Sequence, residues 1–513
     1  MDTSPLRRYL APERVRLPSL LLPLLLLAVA AVGTSCVSTG TNPVSGNTRA
    51  YGYTWQEELK LGKKADKQIR RQYGVYENEE LQRYVDEVAQ DVLAESHMRR
   101  SSTPKKFREA EFHFRALDSP VINAFALPGG YVYVTRGLLA HLNNEAQLAV
   151  VLGHEIAHVA ARHASQQAAR RQFTKGLLLG GAVLGQAAFG GEVGRRIINL
   201  GGTAAQLLSL RYSRGSERES DRLGVQYAVR AGYDAAEAAG FFESLERKQE
   251  QSGQAIPTWR STHPDPGARQ QTVPQLAQKW KKRVDHAART VDQDEYYAAI
   301  ERMIFGKNPR QGFTENGVFY HPELAFRFPI PSDWNVQNQP RQVVAVQPNQ
   351  EAYLVFRFAD AETPAAAARK FANQDGLGVR ERQSVTVNGY EAERVLAEAK
   401  TKRGQRVYAL AYFISYRDQV YQFQGLTLAE QYDVYRSTLE RTMTGFDRLR
   451  DPDKLNVQPA RLAIRPASRQ AAFRTFVDEA ALLDGMTATD LAIVNQLELD
   501  RIVAPTRPLK LPD

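Results

Sequence analysis

The chain has 513 residues, more than one hydrophobic core usually organises, so several domains are expected. Hydrophobic residues make up 43% and charged residues 24% of the sequence, which excludes a wholly disordered protein. The net charge is +10, but the basic residues are spread along the chain without a long Lys/Arg block or zinc-finger spacing. A nucleic-acid partner is therefore not expected.

The first 35 residues have the pattern of an export signal. Basic residues precede an apolar run from Leu20 to Val32 that is too short for a membrane span, and small residues then lead to Cys36. Cys36, the only cysteine, resembles the lipidated cysteine of bacterial lipoproteins, and Val37 after it is typical of those kept at the outer membrane. Residues 1–35 are thus predicted to direct a lipid-anchored protein to the periplasm. The alternative is an ordinary secretory signal followed by an incidental cysteine.

The next part of the chain is predicted to hold a tether, helices and a small β element. Residues 36–50 are small and polar, which favours a flexible tether. Apolar positions over residues 54–95 recur with helical spacing. Phe112 and Phe114 alternate with polar neighbours as in a strand, and the Pro-Gly-Gly sequence at 128–130 predicts a hairpin.

Helices are predicted to dominate the following segment. Asn144 and Gln147 form a capping pattern for a helix over residues 144–164. Residues 176–209 are apolar but rich in glycine, and they fit either a mobile lid or plug over the site or a buried helical hairpin. Two more helices are predicted over residues 216–249.

The C-terminal part has a different pattern. A linker is predicted at residues 308–313, which read NPRQGF. Short alternating strands and two amphipathic helices then predict an α/β sandwich-like domain over residues 314–449. Residues 450–513 are predicted to form a small separate α/β unit.

The sequence HEIAH at residues 154–158 has the spacing of a catalytic zinc site. In a helix, residues i and i+4 differ by about 40° in azimuth, so His154 and His158 can bind one tetrahedral Zn²⁺. Glu155 lies about 100° round the helix, where it can reach water at the metal without being a ligand. The motif therefore predicts a hydrolase in which Glu155 is the general base.

A third protein ligand must come from elsewhere in the chain. His163 is about 140° from the ligand face of a continuous helix and is predicted to be structural. Glu217 and Asp221 share a face of the downstream helix, and Glu219 points nearly opposite. Glu217 is the predicted ligand and Asp221 the predicted acceptor for a ligand histidine. An acidic turn that only stabilises a helix N-terminus is the alternative.

The chain resembles one family of zinc metallopeptidases in four segments, which read NAFALPGG, HEIAHVAARH, SRGSERESDRLG and STHPDPGAR. This family includes the HtpX and BepA proteases and the CAAX prenyl protease. The resemblance covers roughly residues 50–300. It implies one Zn²⁺ per chain, with His154, His158 and Glu217 as its ligands. It implies an α+β multidomain chain with a mainly helical gluzincin peptidase domain and a small β element (51–305). The following domain (314–449) resembles PsbP, and the C-terminal unit (450–513) resembles LysM.

Two further parts of the site are predicted. The loop that reads STHPDPGAR offers His263 and Arg269 as donors to the oxyanion of the transition state. His263 could instead occupy the open zinc position and hold the enzyme inactive, or belong to a surface loop without function.

A substrate peptide is predicted to add as a strand to an exposed edge formed by Asn123, Ala124, Phe125 and Ala126, where the family resemblance also implies substrate contact.

The predicted function is that of a zinc-dependent endopeptidase of the bacterial cell envelope. The family implies substrates that are misfolded or misassembled envelope proteins. The alternative is an envelope assembly or chaperone-like factor in which the C-terminal domains do the main work and the zinc site is restrained. Intact Glu155 favours the enzyme, because a purely structural zinc does not need a base.

Overall fold

The computed structural model describes residues 38–178, 212–252, 263, 266–284, 290–339, 342–401 and 404–513. The predicted signal and Cys36 lie outside these residues, and so does the segment 176–209 except for its first three residues. Within the described part of the chain, none of the helices combines the length and the hydropathy that a membrane span requires.

The N-terminal half is mainly helical with a small sheet. It contains, in chain order, β1 (Ser38–Thr41), β2 (Thr48–Tyr51), α1 (Trp55–Tyr73), α2 (Glu79–Ala94), α3 (Lys105–Arg108), β3 (His113–Leu117), β4 (Ala124–Leu127), β5 (Tyr131–Thr135), α4 (Arg136–His141), α5 (Glu145–Ala160), α6 (His163–Leu178), α7 (Arg214–Arg230), α8 (Ala238–Ser252), α9 (Pro266–Lys281) and α10 (Gln293–Ile300). The helix predicted over 54–95 is two helices, because Gly74 has a positive φ of 70° and ends the first.

The predicted tether is instead a hairpin packed on the helical core. Strands β1 and β2 pair antiparallel, and the Asn42 side chain accepts hydrogen bonds from the backbone of Val44 and Ser45, which closes the turn. Nδ2 of Asn42 also donates to the carbonyl of Ala161 at 3.0 Å. Strand β1 holds only small polar residues and β2 reads TRAY, so neither has the apolar alternation that predicts a strand.

The small sheet has the order β3-β5-β4, with β3 and β5 parallel and β4 and β5 antiparallel. Gly129 and Gly130 have φ values of 84° and 97°, a left-handed conformation that glycine adopts without steric cost, and they form the predicted turn. Strand β4 is an edge of this sheet, but residues 123–126 are all buried. The predicted edge is therefore not open to solvent.

Helices α5 and α7 cross at two glycines. A Cβ atom at Gly224 would lie 2.6 Å from the backbone nitrogen of His154, and one at Gly153 would lie 2.8 Å from the carbonyl oxygen of Gly224. Any larger side chain would push the helices apart. The small residues that the sequence places along α7 thus allow side chains from two helices to meet.

The C-terminal half begins with a domain of two sheets. Its elements are β6 (Phe313–Glu315), β7 (Val318–His321), β8 (Phe326–Pro329), β9 (Asn335–Gln339), β10 (Gln342–Val346), β11 (Ala352–Phe358), α11 (Pro364–Ala372), β12 (Leu377–Val387), β13 (Tyr390–Lys400), β14 (Arg406–Tyr416), β15 (Gln419–Leu428), α12 (Tyr432–Thr444) and β16 (Asp447–Arg448). The seven-stranded sheet has the order β12-β13-β14-β15-β11-β10-β9, and the four-stranded sheet has the order β16-β8-β7-β6.

The last segment packs on the N-terminal half. Its elements are α13 (Pro452–Leu455), β17 (Leu462–Pro466), β18 (Ala471–Ala472), α14 (Phe473–Glu479), α15 (Ala488–Val494), β19 (Ile502–Val503) and β20 (Pro508–Pro512). Phe473, Leu491 and Leu509 belong to the same core cluster as the apolar residues of α5. Nζ of the fully buried Lys510 donates to the carbonyls of Ala140 and Leu142, just before α5.

Candidate metal centre

Four buried side chains converge where α5 meets α7 and the segment before α9. His154 and His158 come from α5, Glu217 from α7, and His263 from that segment. The Nε2 atoms of the two α5 histidines are 2.9 Å apart, and Glu217 oxygens lie 3.6 Å from Nε2 of His154 and 3.5 Å from Nε2 of His158. Nδ1 of His263 lies 3.2 Å from both Nε2 of His154 and Oε2 of Glu217.

These side chains fit a zinc ion. Zinc bonds of about 2.0–2.1 Å in a tetrahedron separate ligand atoms by about 3.3 Å, and the separations above lie on both sides of this value. Oε1 of Glu217 accepts no hydrogen bond from the described residues, which leaves its lone pairs available. Burial lowers the pKa of His158 well below its ordinary value, and the neutral imidazole is the form that binds metal.

Glu217 is held as a carboxylate. Burial opposes its ionisation, but the adjacent His263 and His154 hold the pKa of Glu217 well below its ordinary value. Arg269 also donates to Oε2 of Glu217 through Nη2. Glu217 is thus charged as a zinc ligand must be.

Glu155 lies beside the cluster without joining it. Its side chain is fully buried, Oε1 lies 3.4 Å from Nε2 of His263, and none of the described residues donates a hydrogen bond to either carboxylate oxygen. Burial raises the pKa of Glu155 against the opposing effect of His263 and His154. A buried carboxylate with free lone pairs and a raised pKa is suited to accept a proton.

Asp221 and Arg269 contact side chains of the cluster on the outside. Oδ1 of Asp221 lies 2.9 Å from Nδ1 of His154, the contact that the helix spacing indicates. Arg269 binds Asp221 through Nε at 2.9 Å as well as binding Glu217. Arg269 thus joins Asp221 to Glu217. Its donation to a substrate oxyanion stays a prediction, because Nη1 has no acceptor among the described residues.

His163 and Glu219 are nearer to the site than the helix phase predicted. Helix α5 ends at Ala160, Arg162 has a positive φ of 58°, and His163 begins a new helix, so its azimuth on a continuous helix does not apply. Nδ1 of His163 lies 3.1 Å from Nδ1 of His158, and Nε2 lies 3.1 Å from Oε2 of Glu219. The hydrogen bond from His163 lowers the pKa of Glu219 to about 2.

Tyr212 is a residue of the site that the sequence analysis missed. Its ring stacks on the ring of His158 with the centroids 4.0 Å apart. It also lines a small cavity together with His158, Ala126 and Leu127 at the end of β4. An isolated tyrosine before a helix carries no motif, so only the structure could reveal this contact.

The chain is weakly similar to several solved structures, one of which is a PsbP protein. Cyanobacterial PsbP from Synechocystis sp. PCC 6803 matches 26% of this chain and 91% of its own, with 12% sequence identity and a TM-score of 0.22. At this similarity the PsbP-like assignment of residues 314–449 stays a prediction, and so does the LysM-like assignment of residues 450–513.

The metal centre lies within a segment that matches a known family. A curated β-barrel assembly-enhancing protease of Escherichia coli (strain K12) is 29% identical over 236 residues, which are 45% of this chain and 46% of that protein. The mitochondrial metalloendopeptidase OMA1 of Bos taurus is 33% identical over 175 residues, 33% of each chain. This chain spans just under half the length of the first curated relatives it matches. The model of peptidase family M48 matches residues 77–277, the segment that holds all four side chains of the cluster.

Proposed function

We propose that this protein is a zinc-dependent endopeptidase with one zinc ion per chain. His154, His158 and Glu217 are the proposed ligands and Glu155 the proposed general base. The observation that carries the proposal is the buried ligand cluster with an unbonded carboxylate beside it. Casein hydrolysis that a chelator abolishes and zinc restores tests it, and zinc binding without any hydrolysis would favour the assembly-factor alternative.

The chemistry follows from the positions of the side chains. A bound zinc would supply acidification of water and polarisation of a substrate carbonyl. Glu155 takes the proton from the attacking water and passes it to the leaving amine. Asp221 orients His154, and Arg269 fixes Glu217 and Asp221 together. The side chains of the cluster are buried, which strengthens these electrostatic contacts.

The proposed substrates are misfolded or misassembled proteins of the bacterial envelope. The name of the Escherichia coli relative, β-barrel assembly-enhancing protease, supports this class. The proposed location of the protein, which matches this substrate class, is the periplasm. Strand β4 is the proposed substrate-binding strand, and because it is buried, the groups that cover it must move before a peptide can pair with it.

Lipidation of Cys36 is the proposed means of attachment to the outer membrane. The variant Cys36→Ala should lose its acyl group and leave the membrane fraction, because a soluble body with no acyl chain has little affinity for a bilayer. Mass spectrometry of the mature N-terminus and membrane fractionation check this result. An unmodified N-terminus in the membrane-bound wild type would contradict lipid anchoring.

His263 is proposed to restrain the enzyme at rest. Its Nδ1 lies within 3.2 Å of two proposed ligands, so it completes a four-ligand set, whereas a catalytic zinc keeps one position open. His263→Ala should therefore raise basal casein hydrolysis several-fold. His113→Ala, on the distant strand β3, should not. A lower kcat with an unchanged KM would instead identify His263 as the oxyanion donor.

A further inference from the structure

A second pair of histidine and carboxylate lies beside the metal centre and has no part in the chemistry above. His163 is buried, and it contacts Glu219 through Nε2 and His158 through Nδ1, both at 3.1 Å. The Glu219 side chain is 22% exposed, at the end of this chain of contacts furthest from the metal ligands. The two residues come from different helices, α6 and α7.

The hydrogen-bonding capacity of each group fixes where the protons lie. A carboxylate has only acceptors, so Nε2 of His163 carries the proton that Glu219 accepts. In a neutral imidazole the other nitrogen is then an acceptor, and Nδ1 of His163 accepts from Nδ1 of His158. Oγ of Ser220 also lies 3.3 Å from this nitrogen, where a hydroxyl can donate to the same lone pair. Nε2 of His158 is left without a proton, facing Glu217.

We propose that Glu219 and His163 form a relay that fixes His158 in the tautomer able to bind zinc. This inference rests on the proposed function. Asp221 does the same for His154 by a direct contact, whereas the relay acts on His158 through one intervening imidazole. Groups that orient metal-binding histidines typically contribute 10–100-fold to metal affinity.

The N-terminal hairpin supports the outer end of the relay. Nη1 of Arg49 lies 3.5 Å from Oε2 of Glu219 and 3.4 Å from Oε1 of Gln166 on α6. The hairpin also binds the turn between α5 and α6, where Asn42 donates to the carbonyl of Ala161. A contact of this length between partly exposed groups is weak, so Arg49 contributes less than His163 does.

Zinc affinity of the full chain, measured by competition with a chromogenic chelator, tests the relay. His163→Ala should weaken zinc binding about 10–100-fold. His163→Gln should recover most of this loss, because its amide oxygen can accept from His158 while its NH₂ group donates to Glu219. The matched control His321→Gln replaces a half-buried histidine of the α/β domain and should bind zinc as the wild type does.

Melting of the metal-free His163→Gln and Glu219→Gln proteins separates the relay from a merely structural role. Neither change opens a large cavity, so a lost tautomer preference should leave the melting temperature close to that of the wild type. Glu219→Gln provides a second test at a partly exposed position, with weaker zinc binding expected because an amide can donate to His163 and reverse the tautomer. Equal zinc affinities of wild type, His163→Ala and Glu219→Gln would overturn the relay. So would a His163→Gln variant that binds zinc no more tightly than His163→Ala does. A wild type that binds no zinc would instead overturn the proposed function.

Discussion

Replacing Glu155 with Gln should abolish peptide hydrolysis while zinc binding stays at one ion per chain. The carboxylate lies outside the ligand cluster, and neither of its oxygens accepts a hydrogen bond from the described residues. An amide of the same shape cannot take the proton of the attacking water. General base catalysis typically contributes about 10²–10⁴-fold, so kcat should fall by at least this range while the apo protein melts normally.

Glu145→Gln is the matched control for this experiment. Glu145 is a second buried glutamate of the same helix, and it accepts hydrogen bonds from Tyr84 and Tyr233 away from the metal centre. Its neutralisation should leave hydrolysis measurable at close to the wild-type rate. Loss of zinc in Glu155→Gln would show that Glu155 is a ligand, and retention of full activity would show that another group is the base.

The sequence predicted the parts of the site that depend on local spacing. In a helix the spacing of four residues sets the direction of both side chains, and the structure has Nε2 of His154 and Nε2 of His158 2.9 Å apart. The same rule applies to Glu217 and Asp221 on α7, which both contact His154. Short-range helical geometry is thus readable from one sequence.

Parts of the site that depend on a change of chain direction could not be predicted. The left-handed conformation of Arg162 ends α5 and redirects His163 towards Glu219, but arginine carries no signal for such a turn. The burial of residues 123–126 likewise depends on tertiary packing, which strand periodicity does not report. Both features that the sequence did not predict depend on contacts between elements that are distant in sequence.

The division into domains was also only partly predictable. The sequence predicts a small α/β unit at residues 450–513, yet Leu462, Phe476 and Val494 share one core cluster with the N-terminal helices. The apolar cores of the α/β domain are separate clusters. The backbone N–H of Phe305 donates to the carbonyl of Ala460 at 2.9 Å, so the chain leaves the peptidase part and returns to it at neighbouring points. The α/β domain is arranged as an insertion in one folded unit.

This arrangement predicts opposite results for two deletions. Replacing residues 307–458 with a short Gly/Ser linker should leave a protein that melts cooperatively and binds one zinc, because the junctions are already hydrogen-bonded neighbours. Ending the chain at residue 459 should abolish cooperative melting and zinc binding, because it exposes the apolar surface of the shared core and removes Lys510 from the carbonyls that precede α5. Calorimetry and zinc stoichiometry of the two proteins check this. A truncated chain that still melts cooperatively and binds zinc would show that residues 450–513 are an independent unit, as their sequence alone suggested.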